Sequence, residues 1–328
     1  MQAEPSPALP AAVRWRLLHL PVPCPPPLLQ AIATALAAAP AWQPARQSPP
    51  AVPARSTPAE GLRARLIGLP GSDGRVPWAA LRALQCGLDP ALPWGFVHPC
   101  HWALGADHTR LEDPSTLALD EAASRALFDA MQPYFAGDGL TLLFDTPARW
   151  LVQGERLRGL CCTSLARAIG QNVAELAAST EPDLPHGGAD AAPARWLLRL
   201  QSEMQMLLYQ HPLHDARQAQ GLAPVNSFWL DGTGAWPTGL VPQTLQIDEQ
   251  TLPADPAALG SALQATLHPV DADAQTPTAM ALCGARGVAV LVPQAGTPAS
   301  WTQRLRAALS FSSSSARQRE WLMLLQSL

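Results

Sequence analysis

Residues 203–236 read EMQMLLYQHPLHDARQAQGLAPVNSFWLDGTGAW, and the succession of elements within them decides the fold. Leu197, Leu200, Met204, Leu207 and Leu208 recur at the spacing that lines apolar side chains along one helix face. His211-Pro212 marks the end of that helix, because the residue before a proline is pushed out of the helical region. A short second helix begins at Leu213 and stops at Gly221, where a left-handed C′ glycine belongs. Val225 to Leu230 then reads as a strand and Asp231 to Gly234 as its turn.

The pattern extends outward on both sides. Asp120 stands as an N-cap before Glu121, and Ala123, Leu127 and Met131 share a face of a helix expected to end near Pro133. A Gly137 to Gly139 turn follows, with Leu140 to Phe144 and Arg149 to Val152 as a hairpin. Nearer the start, strands are expected over Arg14 to Val22 and Ala64 to Leu69, and helices over Pro26 to Ala38 and Trp78 to Leu88. Nearer the end, helices are expected near Pro256 to Leu267 and Trp301 to Leu309, with strands at Ala279 to Cys283 and Val288 to Val292. The alternation gives an α/β fold, a mixed sheet with flanking helices. Prolines number 35 in 328 residues, and the stretch Pro40 to Gly61 has no apolar period, so it reads as a linker. Four parts follow: a strand-helix unit over 1–39, the linker 40–61, an α/β core over 62–240, and an α/β part over 241–328 packing on it.

Composition removes several chemistries. All 22 basic residues are arginine, so a Walker phosphate loop and any Schiff-base or pyridoxal phosphate mechanism lack their lysine. Net charge is −4 and the arginines are scattered, which argues against nucleic acid as a partner. The six cysteines include no CxxC pair and read as reduced residues of a cytoplasmic protein. No apolar run approaches the ~20 residues of a membrane span, and the Ala-rich stretch near Leu28 to Ala39 lacks the flanks of a secretion signal.

Two polar groups stand out. His98, His101 and His108 with Asp107 could offer imidazole and carboxylate donors to a metal, but ordinary hydrogen-bonded histidines are the favoured reading and no metal is expected. His211, His214, Arg217 and Asn226 are the ligand-binding candidates. An imidazole, a guanidinium and an amide suit a small anion. The architectural alternative has His211 capping the preceding helix, Arg217 paired with Asp215 or Glu203, and Asn226 tying a strand to a loop.

The motif His211-Pro212, His214, Arg217, Gly221, Asn226, Phe228-Trp229-Leu230, Gly232 and Gly234 resembles a segment of the archaeal-type cofactor-independent phosphoglycerate mutases. Leu119 to Met131 and Arg149 to Val152 are similar to pieces of the domain inserted into those enzymes. The resemblance spans roughly 102–236 and implies that the middle of the chain folds like that inserted domain. Across the whole chain, Trp94 to Leu111, the Asn226 segment and Leu282-Cys283-Gly284 look closer still to the RpfE-type bacterial regulatory proteins. The mutases hold two divalent metals and a serine or threonine nucleophile outside the inserted domain, and this sequence has no matching segments for them. No catalytic residue set and no cofactor is therefore expected. The resulting reading is a non-catalytic regulatory or small-anion-binding protein, whose partner is an anionic small molecule or a regulatory protein. The alternatives are a working mutase-like enzyme on a phosphorylated small molecule and a protein-interaction module with a tryptophan-rich surface.

Overall fold

The computed structural model describes residues 14–22, 24–38, 42–44, 55–69, 71, 73–105, 107–176, 178–180, 192–240, 247–267, 278–293 and 311–326. The chain forms two compact units. The first comprises Met1–Pro53, Pro58–Gly68 and Gln243–Leu328, and the second Ala54–Thr57 and Leu69–Pro242.

The first unit is built on a five-stranded mixed sheet. Its strands are β1 (Arg14–His19), β2 (Trp42–Pro44), β11 (Ile247–Thr251), β12 (Thr278–Cys283) and β13 (Val288–Pro293), in the order β11-β1-β12-β13-β2. β1 runs parallel to both neighbours, with Leu17 opposite Glu249 on one side and Ala281 on the other. Alternation along β1 sends Leu18 and Leu20 to one face, under α1 (Pro26–Ala37), α8 (Pro256–Leu267) and a helix over Phe311–Gln326. Trp15 and Leu17 go to the other, under α2 (Pro58–Leu66). Because both faces are covered there, the inner strands β12 (TAMALC) and β13 (VAVLVP) read as near-continuous apolar runs, whereas the edge strand β11 (IDEQT) is mostly exposed.

The second unit carries a four-stranded antiparallel sheet. Its strands are β3 (Trp94–Cys100), β6 (Thr141–Thr146), β7 (Arg149–Gln153) and β10 (Ser227–Gly234), ordered β10-β3-β7-β6. One face packs on α4 (Glu121–Gly137) and α6 (Ala192–Gln210), with Trp150, Phe228, Met131, Leu200 and Met204 at the centre. The opposite face receives α3 (Trp78–Gln85), α5 (Leu165–Ala168) and Cys100, Trp229 and Ala168. A hairpin joins β4 (Trp102–Leu104) to β5 (Thr109–Leu111), and β8 (Leu160–Cys161) pairs antiparallel with β9 (Ser179–Thr180) across the connection that carries α5. α7 (Pro212–Ala219) follows α6 directly.

The mixed α/β class expected from the sequence is the one observed, and several elements differ from their expected form. The first half of Ala64 to Leu69, expected as a strand, lies within α2, because Pro58, Leu62 and Leu66 fall four apart and bury one face, and the rest is the turn that leaves it. The expected linker Pro40 to Gly61 contains β2, where Pro44 is tolerated because β2 is an edge strand, and the first turn of α2, opened by Pro58. Its residues 45–54 lie outside the described residues, as does the expected helix Trp301 to Leu309. α4 runs through Pro133 to Gly137. Pro133 and Asp129, whose carbonyl loses its partner, are both on the exposed side, while Met131 and Phe135 continue the buried stripe. Asp231 to Gly234 is not a turn but the end of β10, where a bulge shifts the register against β3. The segments 1–39 and 241–328, separate in the sequence reading, share one sheet, and 62–68 belongs with them.

Candidate functional site

The α6–α7–β10 segment places its polar side chains one by one against main chain. His211 caps not the preceding helix, as the sequence suggested, but the following one: it is the N-cap of α7, and its Nδ1 accepts from the Leu213 N–H at 3.2 Å. His214 packs its ring edge-on to Tyr209, 5.2 Å between centroids, and its Nδ1 is buried without a hydrogen-bond partner. Arg217 turns inward and is only 5% exposed. Its Nε donates to the Ala223 carbonyl at 2.9 Å and its Nη2 to the Leu117 carbonyl at 2.5 Å. Burial lowers the Arg217 guanidinium from its ordinary value, partly offset by the Asp120 charge. Neither Asp215 nor Glu203 is its partner.

Asn226 makes a two-point clasp on Trp102, accepting from the Trp102 N–H at 2.7 Å and donating to the Trp102 carbonyl at 3.0 Å. Its own N–H donates to the Cys100 carbonyl at 3.1 Å, so the ladder between β10 and β3 is continued by side chain where the strand itself ends. Among the described residues no hydrogen bond joins His211, Arg217 and Asn226 to one another; each closes on a separate stretch of backbone.

The histidines nearer β3 separate in the same way. His98 lies opposite Trp229 in the ladder, and its Nε2 is 3.0 Å from Asp231 Oδ1, both side chains being buried. The other carboxylate oxygen of Asp231 accepts from the Leu165 N–H at 2.6 Å, which ties the start of α5 to the sheet. His101 Nδ1 donates to the Pro224 carbonyl at 2.9 Å. The side chains of Asp107 and His108 pair with each other, Nδ1 to Oδ1 at 2.6 Å, on the exposed β4–β5 hairpin. Among the described residues no three His, Cys, Asp or Glu side chains converge as a metal set. Cys162 and Cys283 are pushed up to about 12 by burial, well away from a reactive thiolate.

The side chains of Trp15, Trp94, Trp150, Trp196, Trp229, Trp236 and Trp321 are buried, so they do not form the tryptophan-rich surface that one reading of the sequence required. A cavity lined by Thr163, Gln201, Trp229 and neighbouring apolar residues holds about 30 Å³, room for a water molecule and no more. In the first unit a shallow concavity of about 420 Å³ is lined by Arg16, Leu18, Asp248, Glu249 and Gln250. Two carboxylates against one guanidinium make it unwelcoming to anions.

A polar cluster that sequence reading missed lies on the second unit, between α3 and the β6–β7 hairpin. Asp145, its side chain 3% exposed, receives Arg82 through Nε at 3.0 Å and Nη2 at 2.5 Å. Arg149 reaches the other oxygen through Nε at 3.1 Å and Nη2 at 2.7 Å, and its guanidinium lies over the Phe96 ring, 4.6 Å from the centroid. Burial alone would raise the Asp145 carboxyl, but the hydrogen bonds and charges of Arg82 and Arg149 outweigh it and hold the group below the usual carboxylate range. Only the four-residue spacing of Asp145 and Arg149 was available in the sequence as a signal, since Arg82 arrives from 63 residues away.

No protein-family model matches this chain, and no curated protein matches it. Among solved structures it is similar to a cofactor-independent phosphoglycerate mutase from Thermoplasma acidophilum DSM 1728, with 12% identity and a TM-score of 0.36, covering 96% of this chain and 99% of that one. It is also similar to the PH0037 protein from Pyrococcus horikoshii, with 12% identity and a TM-score of 0.42, covering 97% and 98%. Likenesses of this degree assign neither an activity nor a site.

Proposed function

We propose that this chain is a non-catalytic binding protein of the RpfE type, regulatory in role and working in the bacterial cytoplasm. The observation that supports the reading is where its polar side chains direct their hydrogen bonds. Arg217, Asn226, His211 and His101 all end on backbone groups of the chain itself, and Asp231 joins His98 to a backbone N–H. A catalytic acid, base or nucleophile must present a free atom to substrate; these side chains instead hold the α6–α7–β10 segment and its neighbours in place. The six cysteines are free, which agrees with a reducing compartment. The partner is a small anion or a regulatory protein.

The reading is tested by turnover. Purified protein given 3-phosphoglycerate with Mg²⁺ or Mn²⁺ is expected to release no 2-phosphoglycerate. Mutase activity that persists through removal of host enzyme and disappears on chelation would instead establish the rival reading, a working mutase-like enzyme.

A further inference from the structure

We propose that Arg82 and Arg149, held beside one another by Asp145, form a binding site for a small phosphate-type oxyanion. The argument begins with charge. Two guanidiniums face one buried carboxylate, and among the described residues no second acid pairs with either, which leaves the cluster with one positive charge in excess. The Asp138 cluster of the same unit shows the difference: Arg199 and Arg156 meet Asp138, but Arg199 also reaches Glu203 at 4.0 Å, so the two cations there face two acids.

Geometry supplies the second part. Both arginines contact Asp145 through Nε and Nη2, and among the described residues nothing takes their Nη1 groups. The guanidinium donates from Nε, Nη1 and Nη2, so each arginine keeps an unfilled edge. Their side chains are 35% and 34% exposed, enough for a solute to reach them, whereas the carboxylate that orients them is closed off from water. Phe96 covers one face of Arg149 and restricts it further. Arginine side chains ordinarily lose rotamer freedom when they bind, and here that cost has been met in folding. A tetrahedral oxyanion has oxygens pointing in several directions and can accept from two forks at once, which a planar carboxylate does less well.

This site deepens the reading of the chain as a binding protein by naming a ligand class, and the two fail separately. Phosphate capture without turnover satisfies both, whereas mutase turnover removes the non-catalytic reading and leaves this site standing.

The test is calorimetric titration of inorganic phosphate into the full-length protein, at ionic strength held constant with chloride. Saturable one-to-one binding is expected, weakened about tenfold or more in Arg82→Gln and in Arg149→Gln, because each loses one fork of charge-assisted hydrogen bonds. In either variant Asp145 keeps one arginine, so the fold is expected to survive. If a variant does not fold, the wild-type protein still answers: phosphate should shift the Nε–H resonances of Arg82 and Arg149 ahead of those of other arginines. Absence of saturation, unchanged affinity in both variants, or acetate binding as tightly as phosphate would overturn the proposal.

Discussion

Replacing Arg217 with Met would leave the carbonyls of Ala223 and Leu117 without their donor in a region where the arginine is almost fully covered. Each charge-assisted bond of this kind is worth roughly 1.5–3 kcal/mol. We expect Arg217→Met to lose about 3 kcal/mol, seen as a fall in Tm of about 6–12 °C, with no change in phosphate affinity at Arg82 and Arg149. Asp145 has the opposite pH signature to a buried neutral group. Its folded pKa lies below the unfolded one, so its stabilisation is complete above the unfolded value and is lost as pH falls through the folded value. Asp145→Asn is therefore expected to cost about 2 kcal/mol at pH 7, a figure reduced for the partial exposure of both arginines, and the difference should shrink below about pH 4. Urea titrations of both proteins across pH 2.5–7 would measure it. At this scale the sequence was half legible: Asn226 and Arg217 were conspicuous, but whether they faced ligand or backbone depended on Trp102 and Leu117, each at least 100 residues away.

Elements whose ends carry local chemistry were readable, and elements decided by distant packing were not. His211-Pro212 and Gly221 punctuate the passage from α6 to α7 and out again, and the structure keeps both stops, with Gly221 at φ 70°. The Asp231 to Gly234 segment carries the same glycine signals yet stays in the sheet, since Gly232, at φ 62°, makes a bulge against Phe96. A Cβ there would sit 2.8 Å from the Phe96 ring. Phe96 also supports Arg149, so Gly232→Ala should do two things: destabilise the protein by about 2–3 kcal/mol through strain and crowding, and weaken phosphate binding. Thermal melting and the calorimetric titration read these separately. Pro133 and Pro58 mark the reverse error, prolines taken as breaks that a helix accommodates on an exposed side or in its first turn.

For the whole molecule, the two units imply unequal autonomy. The second unit takes nearly all its residues from one continuous run, with its own sheet, both layers of helices and a buried core. A fragment of residues 54–242 is expected to fold by itself, with a cooperative urea transition and the near-ultraviolet signal of packed Trp150 and Trp229. A fragment ending before Gln243 but beginning at Met1 should gain nothing in stability from its first 53 residues, because β1 would have neither parallel neighbour. The placement of β1 also has a consequence for synthesis. Trp15, Leu17 and Leu18 emerge from the ribosome more than two hundred residues before Ile247, the first residue of the strand that pairs beside them. At about 5–20 residues per second, that interval is about 10–45 s. Throughout it, a strand made for the middle of a sheet stays without either neighbour, an apolar segment left uncovered on the nascent chain until the residues after Gln243 are made.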